Sequence, residues 1–348
     1  MKPIYVIGYP GPIGGAATEL WHTLKLWRRN DLEVHLVPTW GQPPADFLKL
    51  STAIGCTTHV CESPQGLEAV PGIRGATVIA FCNDYLLQAA AEFRRLECRI
   101  VWAGCMNWLF PLERRQYGRL GPFDRYVMQS LYQCATLLPE LARYGVRAAD
   151  CHHIPGWIDV EEYSLAPRPH ADGEPFVIGR VSRAAPDKFS SGTWPMFGRV
   201  NYAPIRMRVL GWEPACARAI GDPPPNAECL ATGAEPVPEF LKTLHCYCQL
   251  NGSAVENWPR TALEAMAAGV PIVAEARGGW PEMLEHGRTG FVCRSDAETA
   301  HWIAHLAYDE ERRQDIIARA YRRLVSRLAD PEDCWSRWDR LFESLERT

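Results

Sequence analysis

Two glutamates pose the first chemical question. In NGSAVENWPRTALEAMAAGVPIVAEARGGWPEMLEHGRTGFV (251–292), Pro259 suits the first turn of a helix and Gly269 its end. Glu264 then lies inside the helix and Glu256 in the loop just before it. Chain and helix rise put the two carboxylates roughly 8–12 Å apart. That is too far to share a proton, but it suits a grip on two parts of one extended ligand. A carboxylate accepts hydrogen bonds from vicinal hydroxyls, as on a ribose or a hexose. The helix N-terminus between the two favours an anion. Hydroxyls, then diphosphate, then hydroxyls is the layout of a nucleotide sugar. The plainer alternative is a helix acid plus a surface glutamate, with GVPIVA an ordinary buried strand.

Two further segments offer matching chemistry. FVIGRVSRAAPDKFS (176–190) reads as a strand ending near Gly179, followed by Arg180, Arg183 and Lys188. Open α/β sheets bind ligands at strand carboxyl ends. Cations placed there neutralise a diphosphate and stabilise it as a leaving group; the alternative is a solvated loop. In GYPGPIGGAATEL (8–20) a strand runs through a Gly-rich turn into a helix. Gly14 and Gly15 carry no Cβ, so backbone N–H groups there can approach a phosphate or sugar closely. The spacing is not Gly-x-Gly-x-x-Gly, and residues 39 and 40 are Thr and Trp, so no acid stands where an adenosine ribose needs one. A tight turn that binds nothing is the other reading.

The elements that must position these groups alternate between short apolar runs and helical periodicity. Strands are expected at 4–8, 32–38, 76–81, 98–104 and 125–130, with a helix over 17–27. Continuous apolar runs mark a parallel sheet buried on both faces. Residues 156–175 are polar and rich in Pro and Gly, as at a domain junction. A second series follows, with strands at 176–180, 205–212, 246–252, 270–276 and 290–293 and helices at 235–245, 259–268 and 296–327. A final amphipathic helix is expected at 334–346. The fold class is therefore α/β, two doubly wound Rossmann-like parallel-sheet domains facing a cleft. Residues 1–157 and 158–330 form the domains, and 331–348 a C-terminal helix packing back on the first.

Composition excludes several classes. The chain has 348 residues, a formal charge of −4 and 47% hydrophobic residues, an ordinary globular balance with no basic excess for nucleic acid. No run of about 18 apolar residues lacks charge, and the opening MKPIYVIG lacks a signal-peptide pattern. A cytoplasmic protein is expected, with membrane contact at most peripheral, at the inner face. The thirteen cysteines show no Cys-x-x-Cys pair and read as reduced, mostly buried thiols. ERRQYGR (113–119) reads as a solvated helix face, His152-His153 as a surface pair at the hinge, and Trp102 and Trp108 equally as sugar platforms or core.

The Glu256/Glu264 pair with seven residues between, EAMAAGVPIV, GGWPEML and GRTGFV, together with the upstream cations and the Gly-Gly turn in order, resembles retaining family 4 glycosyltransferases of the GT-B fold. The resemblance spans nearly the whole chain. It implies a hexosyltransferase using a UDP- or GDP-linked sugar as substrate, with no cofactor and no metal. Glu264 would hold the ribose, and Glu256 the transferred sugar near its 3- and 4-hydroxyls. Arg180 and Lys188 would bind the diphosphate, with Arg183 an alternative to Arg180. Gly14 and Gly15 would meet phosphate or sugar, and LATGAEP (230–236), with Thr232, the base. The acceptor, a glycan, lipid or small molecule, would fall to the N-terminal domain, whose VWAGCMNWLF segment places Cys105, Asn107 and Trp108 where many members have a histidine. Pro259 stands where many have glycine, removing one N–H that Arg260 or Thr261 would replace. Competing readings are a GT-B nucleotide-sugar epimerase or hydrolase, and a sugar-nucleotide-binding protein with a degraded active site.

Overall fold

The structure, a computed structural model, describes residues 2–9, 14–38 and 40–346. The chain divides into two compact units, Met1–Asp159 with Pro331–Thr348, and Val160–Asp330. Apolar runs become the central strands of two sheets because only a fully paired strand can bury its backbone between two helical layers.

The first unit holds β1 (Ile4–Ile7), β2 (Val34–Val37), β3 (Thr57–Thr58), β4 (Thr77–Phe81), β5 (Arg99–Gly104), β6 (Arg125–Met128) and β7 (Cys151–His153), ordered β3-β2-β1-β4-β5-β6-β7. Every pairing is parallel, for example Tyr5 with His35 and with Val78. The second unit holds β8 (Phe176–Val181), β9 (Ile205–Leu210), β10 (Ala227–Leu230), β11 (Cys246–Gln249), β12 (Ile272–Glu275) and β13 (Phe291–Cys293), ordered β10-β9-β8-β11-β12-β13 and again all parallel. Strand order reverses between β1 and β4 and between β8 and β11. The crevice outside the strand carboxyl ends at such a point is where doubly wound sheets bind ligands.

Three strands escape the sequence pattern, namely β3, β7 and β10. All three are polar or half-exposed and lie at sheet edges, so no apolar run marks them. Placing Cys151–His153 in β7, paired with β6, corrects the reading of His152-His153 as a surface pair at a hinge. The helix expected over 296–327 breaks at Asp309, whose carboxylate accepts Arg312 N–H at 2.9 Å and caps the second piece, Glu310–Arg323. The segment 113–119 is not wholly solvated either. In the helix Pro111–Leu120 the Glu113, Gln116 and Tyr117 face is buried, while Arg114 and Arg115 are exposed.

The helix Pro331–Glu346 buries Cys334, Trp338, Leu341, Phe342 and Leu345 along one stripe. Trp27 meets Trp338 edge-on at 4.9 Å, and Arg125 donates to the Ser344 carbonyl at 2.9 Å. All thirteen cysteines are free, and none is fully exposed. Among the described residues no helix is long and apolar enough to cross a membrane.

Candidate active site

In the second unit, chemistry converges on the loops leaving β8 and β11. From β11 a polar ladder runs outward. The Tyr247 hydroxyl lies 2.7 Å from Gln249 Oε1, and Gln249 Nε2 donates to Asn251 Oδ1 at 2.7 Å. Asn251 Nδ2 reaches Glu256 Oε1 at 3.3 Å and Glu275 Oε1 at 3.1 Å. Tyr247, Gln249 and Asn251 are all buried, so each partner fixes the next. Lys188 Nζ then meets Glu256 Oε1 at 2.8 Å, with the two side chains 15% and 19% exposed. The carboxylate and cation expected to handle sugar and diphosphate thus stand together at the strand carboxyl ends, accessible and braced from below.

The loop carrying Glu256 is held by the segment after β12. Arg277 Nη2 donates to the carbonyls of Gly252 at 2.8 Å and Ala254 at 3.0 Å, and pairs with Glu275 Oε2 at 3.0 Å. Burial pushes the Glu275 carboxyl up from its ordinary range, against the pull of Arg277. Gly279 N–H donates to the Glu256 carbonyl at 2.9 Å. A Cβ on Gly279 would sit 1.7 Å from the Asn257 carbonyl, and one on Gly278, whose φ is +63°, 2.2 Å from the Glu256 carbonyl. The paired glycines therefore exist for close approach, since no side chain fits there.

The helix beyond this loop, Arg260–Ala268, has Pro259 as its N-terminal flanking residue and ends at Gly269, whose φ of +79° is the left-handed cap. Glu264 lies within it, 8% exposed. Burial pushes its carboxyl up, while Arg260 and the Tyr163 hydroxyl pull it down. Tyr163, from the segment before β8, carries no sequence signal; only the structure brings it to Glu264. Thr261, expected as a phosphate donor, is already bonded to the Tyr247 hydroxyl.

The cations after β8 separate into two kinds. Arg180 is 1% exposed, and its guanidinium donates to the carbonyls of Leu250 at 2.9 Å and Lys188 at 2.7 Å and lies over the Phe189 ring at 4.2 Å. Arg180, expected as a diphosphate ligand, is thus buried beneath the loop in this structure. Its residue type matches, but the side chain points beneath the loop and holds Lys188 in place. Arg183 is exposed and makes no side-chain bond among the described residues. The two loops also interlock, with Ala254 N–H on the Asp187 carbonyl at 3.0 Å. Thr232 lies in an exposed turn just beyond β10.

In the first unit, the helix Gly15–Arg29 starts after Gly14, whose φ is +89°. A Cβ on Gly14 or Gly15 would meet nothing within 4 Å among the described residues. Residues 10–13 of the Gly-rich turn lie outside the described residues. Beyond β5, Cys105 N–H donates to Cys82 Sγ at 2.8 Å, Asn107 is half-buried, and Trp108 is 45% exposed. Trp102 resolves as core: it is 3% exposed and bonds the buried Glu113. Burial pushes the Glu113 carboxyl up to about 7, although Phe110 N–H, Trp102 and Tyr117 all bond it.

Comparison with known proteins agrees with this geometry. Residues 224–323 match the family model of glycosyl transferases group 1. The chain is 39% identical over 70 residues to N-acetyl-alpha-D-glucosaminyl L-malate synthase of Bacillus anthracis, covering 20% of this chain and 18% of that one. It is 41% identical over 69 residues to the GDP-mannose-dependent alpha-(1-6)-phosphatidylinositol monomannoside mannosyltransferase of Mycobacterium tuberculosis, covering 19% and 18%. The alignment thus spans under a fifth of each of these relatives. Whole-chain likeness comes from structure. Anabaena Alr3699/HepE, solved with UDP-glucose, superposes with a TM-score of 0.72 at 18% identity over 99% of this chain and 100% of that one. Sucrose-phosphate synthase from Thermosynechococcus elongatus gives 0.74 at 14% over 100% of both. The segment holding Glu256, Glu264 and the Gly278-Gly279 turn thus lies within the part of the chain that matches glycosyl transferases group 1, and the two parallel-sheet units have the GT-B fold.

Proposed function

We propose that the protein is a retaining glycosyltransferase that moves a sugar from a nucleoside diphosphate to an acceptor without a metal ion. The observation behind this reading is the Lys188–Glu256 pair at the β8/β11 switch point. An incoming diphosphate takes Lys188 from Glu256, and the freed carboxylate accepts the sugar hydroxyls. Arg183 adds a second cation from the same loop, and the start of the helix Arg260–Ala268 faces the charge with backbone N–H groups. Glu264 binds the ribose through the carboxylate now held by Tyr163.

The bond from the anomeric carbon to the diphosphate oxygen breaks, leaving a nucleoside diphosphate. The acceptor oxygen bonds the same face of that carbon, and its proton passes to the departing phosphate. Charge builds on the phosphate as the bond breaks, so Lys188 matters more in the transition state than in the ground state. Relatives and structural neighbours are described with UDP, UDP-glucose and GDP-mannose, which supports a UDP- or GDP-linked donor here.

The test is release of nucleoside diphosphate from UDP- and GDP-sugars, with and without candidate acceptors and with and without EDTA, followed by NMR of the product's anomeric configuration. Acceptor-dependent release that persists in EDTA and keeps the donor's configuration is expected. Inversion sinks the retaining mechanism, and loss in EDTA restored by magnesium sinks metal independence. Release without acceptor points to a hydrolase.

A further inference from the structure

Away from the donor loops, the second unit presents a cationic groove of about 550 Å³ between the 285–289 loop and the end of the helix Glu310–Arg323. Arg319, Arg322, Arg323 and Arg327 occupy positions i, i+3, i+4 and i+8, one face of a helix that continues as a π-turn over Leu324–Leu328. Arg288 faces them from the loop, and every lining residue is polar or charged. Like charges at i, i+4 repel, so Arg319, Arg323 and Arg327 destabilise the helix that carries them.

The acids present do not balance this charge. Asp315 pairs with Arg319 at 2.8 Å, and Glu285 serves both Arg288, at 3.2 Å, and Arg323. Arg323 is further pinned to the Met283 carbonyl at 2.9 Å and the Glu282 carbonyl at 3.1 Å, which fixes the groove wall. Burial pushes its guanidinium down, and Arg327 and Arg288 add to that effect against Glu285. Arg322 and Arg327 are exposed and pair with no carboxylate among the described residues.

We infer that this groove is a second anion site, distinct from the nucleotide-sugar site, for a soluble ligand carrying several phosphate groups. Guanidinium forks match phosphate oxygens bidentately. A concave wall with no apolar residue fits a compact polyanion, whereas a membrane contact needs a protruding, partly apolar face. Bound phosphate also relieves the repulsion along the helix, so ligand binding raises stability.

Calorimetry with sodium tripolyphosphate at physiological salt tests this on the full chain, using wild type, the exposed double variant R322Q/R327Q, and Lys188→Ala. Lys188→Ala is expected to keep the groove's binding isotherm and to lose only the binding that the donor loops add in wild type. R322Q/R327Q, folded by circular dichroism, is expected to lose about 100-fold in affinity, roughly tenfold per guanidinium. No binding by wild type, or equal binding by R322Q/R327Q, overturns the inference. Loss of all binding in Lys188→Ala moves the anion to the donor loops and overturns it as well. In a parallel arm, vesicles of phosphatidylglycerol in phosphatidylcholine are sedimented with each protein. Vesicle binding lost in R322Q/R327Q, with no tripolyphosphate binding in wild type, replaces the soluble ligand with a lipid surface.

Discussion

The β8/β11 and β1/β4 switch points have the same topology and opposite construction. At β8/β11 the groups proposed to meet the ligand are charged side chains, Lys188 and Glu256, braced by Asn251, Arg277 and the buried Arg180. After β1 the chain offers bare backbone at Gly14 and Gly15, where a Cβ would meet no described residue within 4 Å. One sheet holds charge in a fixed place at its switch point; the other leaves room there. The glycines differ in the same way. Gly278 and Gly279 are small because protein backbone presses on them, whereas Gly14 and Gly15 have nothing of the described protein nearby.

The largest expected effect comes from the packed pair. Gly279→Ala puts a Cβ 1.7 Å from the Asn257 carbonyl, so the Glu256 loop must move. Displacing a reacting group by about 1 Å costs on the order of 100-fold in rate. Turnover should fall at least that far, with a lowered melting temperature. A Gly279→Ala enzyme with normal kinetics would show that the loop is not rigidly held. Next comes Glu256→Gln, which keeps the shape and removes the charge. Turnover should fall by about 100-fold while calorimetric affinity for free nucleoside diphosphate holds or rises, since Lys188 no longer has to leave a carboxylate. Glu264→Ala should instead weaken free nucleotide about 10- to 100-fold. Identical behaviour of the two variants removes the division of labour between them.

Much of the second unit is legible in the sequence because its signals are local. Pro259, Gly269 and the periodicity between them fix a helix whichever way the rest of the chain runs. The burial of Arg180 is not legible for a physical reason: position at a strand end gives the approach of a side chain, but not which neighbouring carbonyls bind it. Leu250 and Lys188 supply those carbonyls, and Leu250 lies seventy residues on. Tyr163 escapes notice because its contact with Glu264 crosses a hundred residues and belongs to no motif. The edge strands β3, β7 and β10 escape because half-exposed edges need no apolar run.

The first unit has a charged group of its own, but it is buried and structural. Glu113 closes the turn at Phe110, and burial pushes its carboxyl up to about 7 from an ordinary value of 4.5. Between those values the unfolded chain releases a proton that the folded one keeps. Stability therefore falls as pH rises through this window and levels off above about 7. Glu113→Gln should remove that slope and raise stability at pH 8 by about 1–3 kcal/mol, read by urea denaturation across pH. An unchanged slope would place the titrating group elsewhere.

The smallest expected effect is also the sharpest test of the two constructions. Gly15→Ala adds a methyl where no described residue lies within 4 Å, in the first turn of the helix Gly15–Arg29. Alanine is favoured over glycine in a helix by roughly 0.5–1 kcal/mol, so the melting temperature should hold or rise slightly. If bare backbone matters only to the fold, activity should be untouched. If substrate approaches this helix start, the methyl stands where phosphate or sugar must come, and KM for the donor should rise several-fold with stability preserved. Gly279→Ala cannot separate activity from stability in this way, since there the clash is with the protein itself. A Gly15→Ala enzyme with unaltered donor KM and turnover would make the first glycine turn purely architectural and leave donor recognition to the β8/β11 loops.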